Sequence, residues 1–450
     1  MRAPVVSSCL LVCPSPRAKI GSLAWLTFLT VVLVYTREFP GPDGPPSFLY
    51  DRIPGALGAR WVDVGVLAVV SFFLMYRALQ ANTRWTVNRG VRQGLGLFGL
   101  ATALSIGYGL ANGGSELFYE WRNVALGLAV AFMARQILEH LSPPTALRVL
   151  FTLLAGRGVW LLARWLLNGG VEPFGGPIWD GPTLSSLVAA TALGVALLHL
   201  ADSLGPRGVI VLLATAASAT VVIAAFRRTY WIELAVLFGV LLLAARRQST
   251  SFRWRLSAVT AGLAVMVVIM FTLAAIPAEI VVLRVQSVVA PLDTTNTLAD
   301  TNSFHIADVQ DAIDIIKESP IFGIGQGRPY RTQLLAPWIP ESWGVHNAIL
   351  HVWLRFGLLG LVAYLWFHFS VFRWLWHTGA TSRVLAVPNA ILAYWVATFV
   401  PGLGLSPWPY GALQNTALLG ILAALADRWI SAELWEQAGH PNGTRGGLRR

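Results

Sequence analysis

Three short stretches carry residues able to do chemistry. The first is FRRTY, where Arg227 and Arg228 stand side by side between two apolar runs. The second is PIFGIGQGRPYR, in which Gly323, Gly325 and Gly327 recur at every other position. The third is GVHNAIL, with His346 and Asn347 at the head of another apolar run. A guanidinium presents a planar fork of donors that fits phosphate oxygens. An imidazole takes or gives a proton near neutral pH. Glycines at this density permit positive φ and close approach of the backbone to a ligand. The run is not a dinucleotide fingerprint, because it follows a helical pattern rather than a strand. The chemistry these groups allow is an anion held by arginines beside a base.

The elements that position them are set by composition. Of 450 residues, 55% are hydrophobic and 12% charged, about half the charge of an ordinary soluble domain. The chain therefore reads as a polytopic membrane protein and not as a soluble enzyme. The net charge of +11 would suggest nucleic acid in a soluble chain. Here the arginines gather in short links between apolar runs, which points to membrane topology and excludes that partner. Cys9 and Cys13 are the only cysteines and read as incidental thiols; no metal-ligand spacing is present.

Twelve apolar segments are long enough to cross a bilayer as helices: 19–36, 61–79, 92–111, 122–139, 147–168, 183–201, 207–225, 229–245, 257–278, 347–371, 384–402 and 411–428. The first reads as an uncleaved span. Links carrying Arg84 and Arg89, Arg148, Arg207, Arg246 and Arg247, and Arg373 and Arg383 fall on one side, with both termini. The asymmetry makes that side cytoplasmic. Among the opposite links the third and fifth are acidic, the first mixes signs and the eleventh is uncharged; the seventh breaks the pattern, since it holds Arg227 and Arg228. Two causes fit that exception: snorkelling to lipid phosphates, or an anionic ligand at the outer surface. Arg157 and Arg164 lie seven residues apart in the fifth span, on nearly one helix face, and Arg164 is near its outer end. Arg355 lies within the tenth span, where a charge is costly and a structural lock is one explanation. Glu233 follows the arginine pair, and charge balance is one reading of it.

The ninth link, 279–346, is far longer than the rest; loops of that length are usually functional or disordered, this one is not low-complexity, and a cap that shields the bundle is the alternative reading. Arg284 at its start is a further candidate phosphate ligand. Asn302 and Ser303 suit a helix N-cap ahead of FHIADVQDAIDIIKES. Ile306, Val309, Ile313 and Ile316 form an apolar stripe, Asp308, Asp311 and Glu318 lie opposite, and Pro320 ends the segment. The expectation is an amphipathic helix at the interface or against the bundle. The chain divides into an N-terminal transmembrane bundle, 1–225, a catalytic region, 226–430, and a cytoplasmic tail, 431–450.

The order of a short outer arginine link, a long outer loop with an amphipathic helix, SPIFGIGQG, HNAIL and FGLLGLVAYL resembles the O-antigen ligase and polymerase superfamily of bacterial envelope enzymes. The resemblance covers about 226–365. It implies an all-α, GT-C-type glycosyltransferase bundle in the bacterial inner membrane, with a periplasmic active site. It implies a glycan donor carried on a polyprenyl diphosphate, an acceptor hydroxyl on a lipid-linked or sugar-linked partner, and no metal or other cofactor. Arg227 or Arg228 would bind the diphosphate, with Arg164 and Arg284 as further ligands, and His346 would act in catalysis beside Asn347, Gly323 and Gly325. The sequence departs from the family at His305 and Val309, where relatives carry Arg and Trp, and at Arg355, near a position that is often acidic. Ligase and polymerase share this chemistry. A lipid-linked glycan flippase is the rival from another class, although the chain has no internal repeat of the kind transporters show. Reporter fusions after Arg228 and after His346 should report the same compartment, and opposite compartments would exclude a shared centre.

Overall fold

A computed structural model describes residues 20–27, 30, 88–114, 117–167, 181–200, 205–225, 227–245, 250–273, 282, 300–334, 341–342, 345–381, 386–402 and 413–437. The expected span 61–79 and Arg284 lie outside the described residues, as does the Arg228 side chain. A helix over 20–27 falls within the first expected span. Then come α1 (Arg89–Ala111), α2 (Leu117–Glu139), α3 (Pro143–Leu167), α4 (Gly181–Leu200), α5 (Pro206–Ala224), α6 (Arg228–Ala245) and α7 (Thr250–Leu273). They are followed by α8 (Asp300–Glu318), the two-residue strands β1 (Tyr330–Arg331) and β2 (Glu341–Ser342), α9 (Ala348–Thr381), α10 (Ala386–Gly402) and α11 (Leu413–Gln437). The described residues are mostly helical, as in a polytopic membrane protein: α1, α3, α5 and α9 are long and apolar enough to cross a bilayer, and α4, α6 and α10 contain shorter apolar helices.

These helices pack through small residues, as helices do where lipid removes the hydrophobic drive between them. A Cβ on Gly94 would stand 2.8 Å from the Phe367 Cα, and the site of one on Gly127 is filled by Thr416. Hydroxyls inside the helices return to their own backbone: Thr102, Thr191, Thr215, Ser218 and Thr220 each donate to the carbonyl four residues earlier. That satisfies a group which has no water to turn to. Helices on either side of residue 225 pack on one another: α1 on α9, α2 on α11, and α4 on α10. In the α2–α11 contact, Arg135 Nε donates to Asp427 Oδ2 at 2.5 Å and Arg428 Nε to the Leu138 carbonyl at 3.1 Å, so these buried charges have partners.

Helix directions follow from these contacts. Helix α1 runs antiparallel to α9, with Gly90 beside Ser370 and Ser105 beside Arg355. Helix α10 links α9 to α4, through Trp395 with His368 and Tyr394 with Ser185. Helix α4 runs against α3, pairing Gly194 with Phe151 and Leu187 with Gly158, and α5 runs against α4, pairing Thr215 with Gly194. The C-terminal ends of α1, α3 and α5 and the N-terminal ends of α6 and α9 thus share one end of the bundle. The starts of α1, α3, α5 and α7, with Arg89, Arg148, Arg207 and Arg253, share the other.

The tenth span, expected over 347–371, falls within α9 and contains a break. Helix α9 breaks at Gly357, which has φ 66° and ψ −173°. This region is open to glycine alone, and a side chain there would meet the Ile321 carbonyl. Glycines at such junctions are not distinguishable from packing glycines by periodicity, so FGLLG reads as continuous helix. Gly357→Ala should destabilise the folded protein by about 1–3 kcal/mol, seen as a lower thermal midpoint in detergent; an unchanged midpoint would show that the break is not obligatory.

Candidate functional site

The break in α9 is filled by the loop that precedes it. Opening the helix deprives the Leu354 and Arg355 carbonyls and the Leu358 N–H of their intrahelical partners. The Ile324 N–H donates to the Leu354 carbonyl at 2.8 Å, and the Leu358 N–H to the Pro320 carbonyl at 3.0 Å. Ser105 of α1 donates its hydroxyl to the Arg355 carbonyl at 2.6 Å. Arg355, 1% exposed, donates to the carbonyls of Gly325 (3.3 Å) and Arg328. The buried arginine therefore locks the loop to the membrane helix. Gly323 and Gly325 have φ of 67° and 82°. Their close approach is to the chain's own helices: a Cβ on Gly325 would stand 2.6 Å from the Gly109 nitrogen, and one on Gly323 would meet the Leu354 carbonyl.

Helix α8 begins at Asp300, so Asn302 and Ser303 fall within its first turn instead of capping it. Its apolar stripe divides, with Ile316 buried and the first part open. Ile306 and Ile313 are exposed, whereas Asp308 and Asp311 are buried together with Ala312 and Ile316. Burying carboxylates is costly unless each is well supplied with donors, and here they are. Asp311 Oδ1 accepts from the backbone N–H of Gln333 at 3.1 Å and of Leu334 at 3.0 Å. Asp308 Oδ1 accepts from the Tyr330 hydroxyl at 3.3 Å. Asp308 Oδ2 meets the His346 N–H at 2.7 Å and the His346 Nδ1 at 3.0 Å. A small apolar core of Ala312, Ile316, Tyr330, Val345 and Leu354 closes under the helix.

His346 is held at the threshold of α9. Asn347 accepts from the Leu350 N–H through its side chain at 3.0 Å, which is an N-cap contact; the His-Asn pair thus starts the helix at a fixed place. The His346 ring lies edge to face with His305, with ring centres 4.9 Å apart. The tautomer that directs Nδ1–H at the buried Asp308 carboxylate carries the ring's lone pair on Nε2. That is the tautomer a general base requires. The ring is partly open, its side chain 44% exposed.

The arginines lie at the same end. Arg227 is exposed at the start of α6, its carbonyl accepting from the N–H groups of Tyr230 and Trp231. Arg164 is half-exposed in the last turn of α3. Arg228 opens α6. Arg157, by contrast, is buried and donates to Ser186 of α4 at 3.5 Å. Asp308, Tyr330 and His305 are the site residues that sequence reasoning did not select. The signal available was the spacing of Asp308 and Asp311, one helical turn apart beside His305.

Residues 213–365 match the model of the O-antigen ligase family. No curated protein matches the chain. The matched segment runs from α5 into α9 and encloses Arg227, Arg228, α8, the glycine loop and His346. The match covers about a third of the chain and supports the resemblance to the O-antigen ligase superfamily. Such a match indicates a glycosyl-transferring enzyme of the ligase–polymerase kind that acts on lipid-linked glycans. Replacing Arg355 by Met, which keeps the apolar stem, should cost about 1–3 kcal/mol for each carbonyl left unpaired. Thermal melting in detergent measures it, and an unperturbed melt would remove Arg355 as the lock.

Proposed function

We propose that the protein transfers a glycan from a polyprenyl-diphosphate donor to a sugar hydroxyl, at the outer face of the bacterial inner membrane. The observation that supports this best is the O-antigen ligase match over 213–365, which encloses an exposed arginine and an oriented histidine at one end of the bundle. The full fold is taken as twelve spans of GT-C type, with both termini in the cytoplasm and 226–430 as the catalytic region. The arginines at the ends of α1, α3, α5 and α7 opposite the site fit that orientation, since basic ends stay inside.

Arg227, Arg228 and Arg164, with Arg284 of the long loop, bracket the diphosphate. Negative charge grows on it as the glycosidic bond breaks, and fixed guanidinium groups aimed at that charge favour the transition state over the bound substrate. The positive end of the α6 dipole adds to them. His346 takes the proton of the acceptor hydroxyl as its oxygen attacks the anomeric carbon from the face opposite the leaving diphosphate, inverting the centre. No metal is assigned a role. Transfer to lipid A-core (ligase) and to a second lipid-linked repeat (polymerase) use the same steps. The flippase reading is weaker, because the buried arginines it would employ are engaged in the fold: Arg157 with Ser186 and Arg355 with the loop.

His346→Ala should lower transfer by about 10²–10⁴-fold while donor binding persists. Arg228→Ala should raise the donor KM, and Arg228→Lys should restore only part of it, because an ammonium lacks the fork. Both are measured in membranes of a strain lacking the native gene, by polymer attachment or length and by accumulated lipid-linked donor. Full activity of the His346 variant would refute the base assignment.

A further inference from the structure

We infer that Asp308, seated on Tyr330, is the positioning residue for the His346 base, so that the long outer loop is part of the catalytic machinery and not only a cover. The inference rests on the reading of His346 as base. Three features carry it. Asp308 is 1% exposed, so its carboxylate sits there at a desolvation cost that burial alone does not explain. One oxygen receives both the backbone N–H and the ring Nδ1 of the same residue, at 2.7 and 3.0 Å. Two contacts to one histidine fix its main chain and its ring together, as a group that orients a base must do. The other oxygen accepts from the Tyr330 hydroxyl at 3.3 Å, which restrains the carboxylate from the far side. Tyr330 is itself 4% exposed in the small apolar core.

The groups around the pair come from every adjoining element. His305 of α8 lies edge to face with His346. Nδ1 of His351 in α9 accepts from the Val345 N–H at 3.4 Å. Arg355 holds the loop through Gly325 and Arg328, two residues before Tyr330. A carboxylate that keeps Nδ1 protonated leaves Nε2 as the acceptor, and its negative charge favours the imidazolium once formed. In the transfer step the acceptor O–H bond breaks and its proton passes to Nε2. The acceptor oxygen bonds to the anomeric carbon, and the glycosidic oxygen leaves on the diphosphate with the bonding electron pair. Asp308 neither gains nor loses a proton, and the imidazolium returns its proton to water afterwards.

The test uses purified full-length protein in liposomes, with lipid-linked glycan extracted from membranes of the gene-deleted host as donor. Asp308→Asn keeps the shape and an acceptor oxygen for the two N–H groups but removes the charge. It should lower kcat by about 10²-fold or more with donor KM changed by less than about threefold. Tyr330→Phe should lower kcat in the same sense by a smaller factor. In a His346→Ala background, Asp308→Asn should cost nothing more, because a group acting only through His346 has nothing left to orient. Native kcat in Asp308→Asn, or an equal further loss on top of His346→Ala, would overturn the positioning role. Failure of the base assignment itself is separate: it would show as full activity in His346→Ala alone.

Discussion

A membrane helix cannot leave its backbone polar groups unpaired, and α9 opens its own ladder at Gly357. Lipid offers no partners there, so protein must supply them. The loop from Pro320 to Gly327 does so, and Ser105 of α1 completes the set. Once the loop is inserted, Arg355 can reach the carbonyls of Gly325 and Arg328, and the strand that follows is led back under α8. The position of Tyr330, and through it of Asp308, descends from that single interruption. The glycines of the loop serve this insertion: three of them need positive φ, and two approach the backbones of α1 and α9 too closely for any side chain.

Helix α8 shows how donors can outweigh an apolar pattern. Its isoleucine stripe should turn inward by hydrophobicity alone, since burying one such side chain is worth about 1.5–3 kcal/mol. A carboxylate buried without partners costs more than that, but Asp308 and Asp311 together receive four N–H or O–H contacts and one ring nitrogen. Hydrogen bonds to charged acceptors contribute about 1.5–3 kcal/mol each. The sum favours the orientation with the acids inside and leaves Ile306 and Ile313 exposed. The same choice brings His305 and Asp308 to His346.

The helical bundle gives the site its location more than its chemistry. Alternating directions carry Arg164, Arg227 and His346 to one end, although 182 positions separate the first of them from the last. Buried charges within the bundle are used for cohesion: Arg135 binds Asp427 across α2 and α11, and Arg157 binds Ser186 across α3 and α4. An intramembrane arginine is therefore not a ligand site by default here. Arg227, exposed, and Arg164, half-exposed, stand apart from these by their openness and by their place at helix termini.

Much of the protein was legible in its residues. Several span limits were close, because hydropathy over about twenty residues registers bilayer thickness directly: helices expected at 92–111, 122–139 and 229–245 occur at 89–111, 117–139 and 228–245, whereas those expected at 347–371 and 411–428 run on to 381 and 437. The alternation of basic links was legible for the same reason, since it is a one-dimensional property of the chain. His346 and the arginine pair could be singled out because polar chemistry at an apolar boundary is conspicuous. What tertiary structure alone decided was which face of α8 is buried, where α9 breaks, and that an aspartate 38 positions upstream orients the histidine. Helical periodicity names two faces without ranking them. The ranking came from donors on Tyr330, Gln333, Leu334 and His346, which reach the carboxylates only after the loop has folded back.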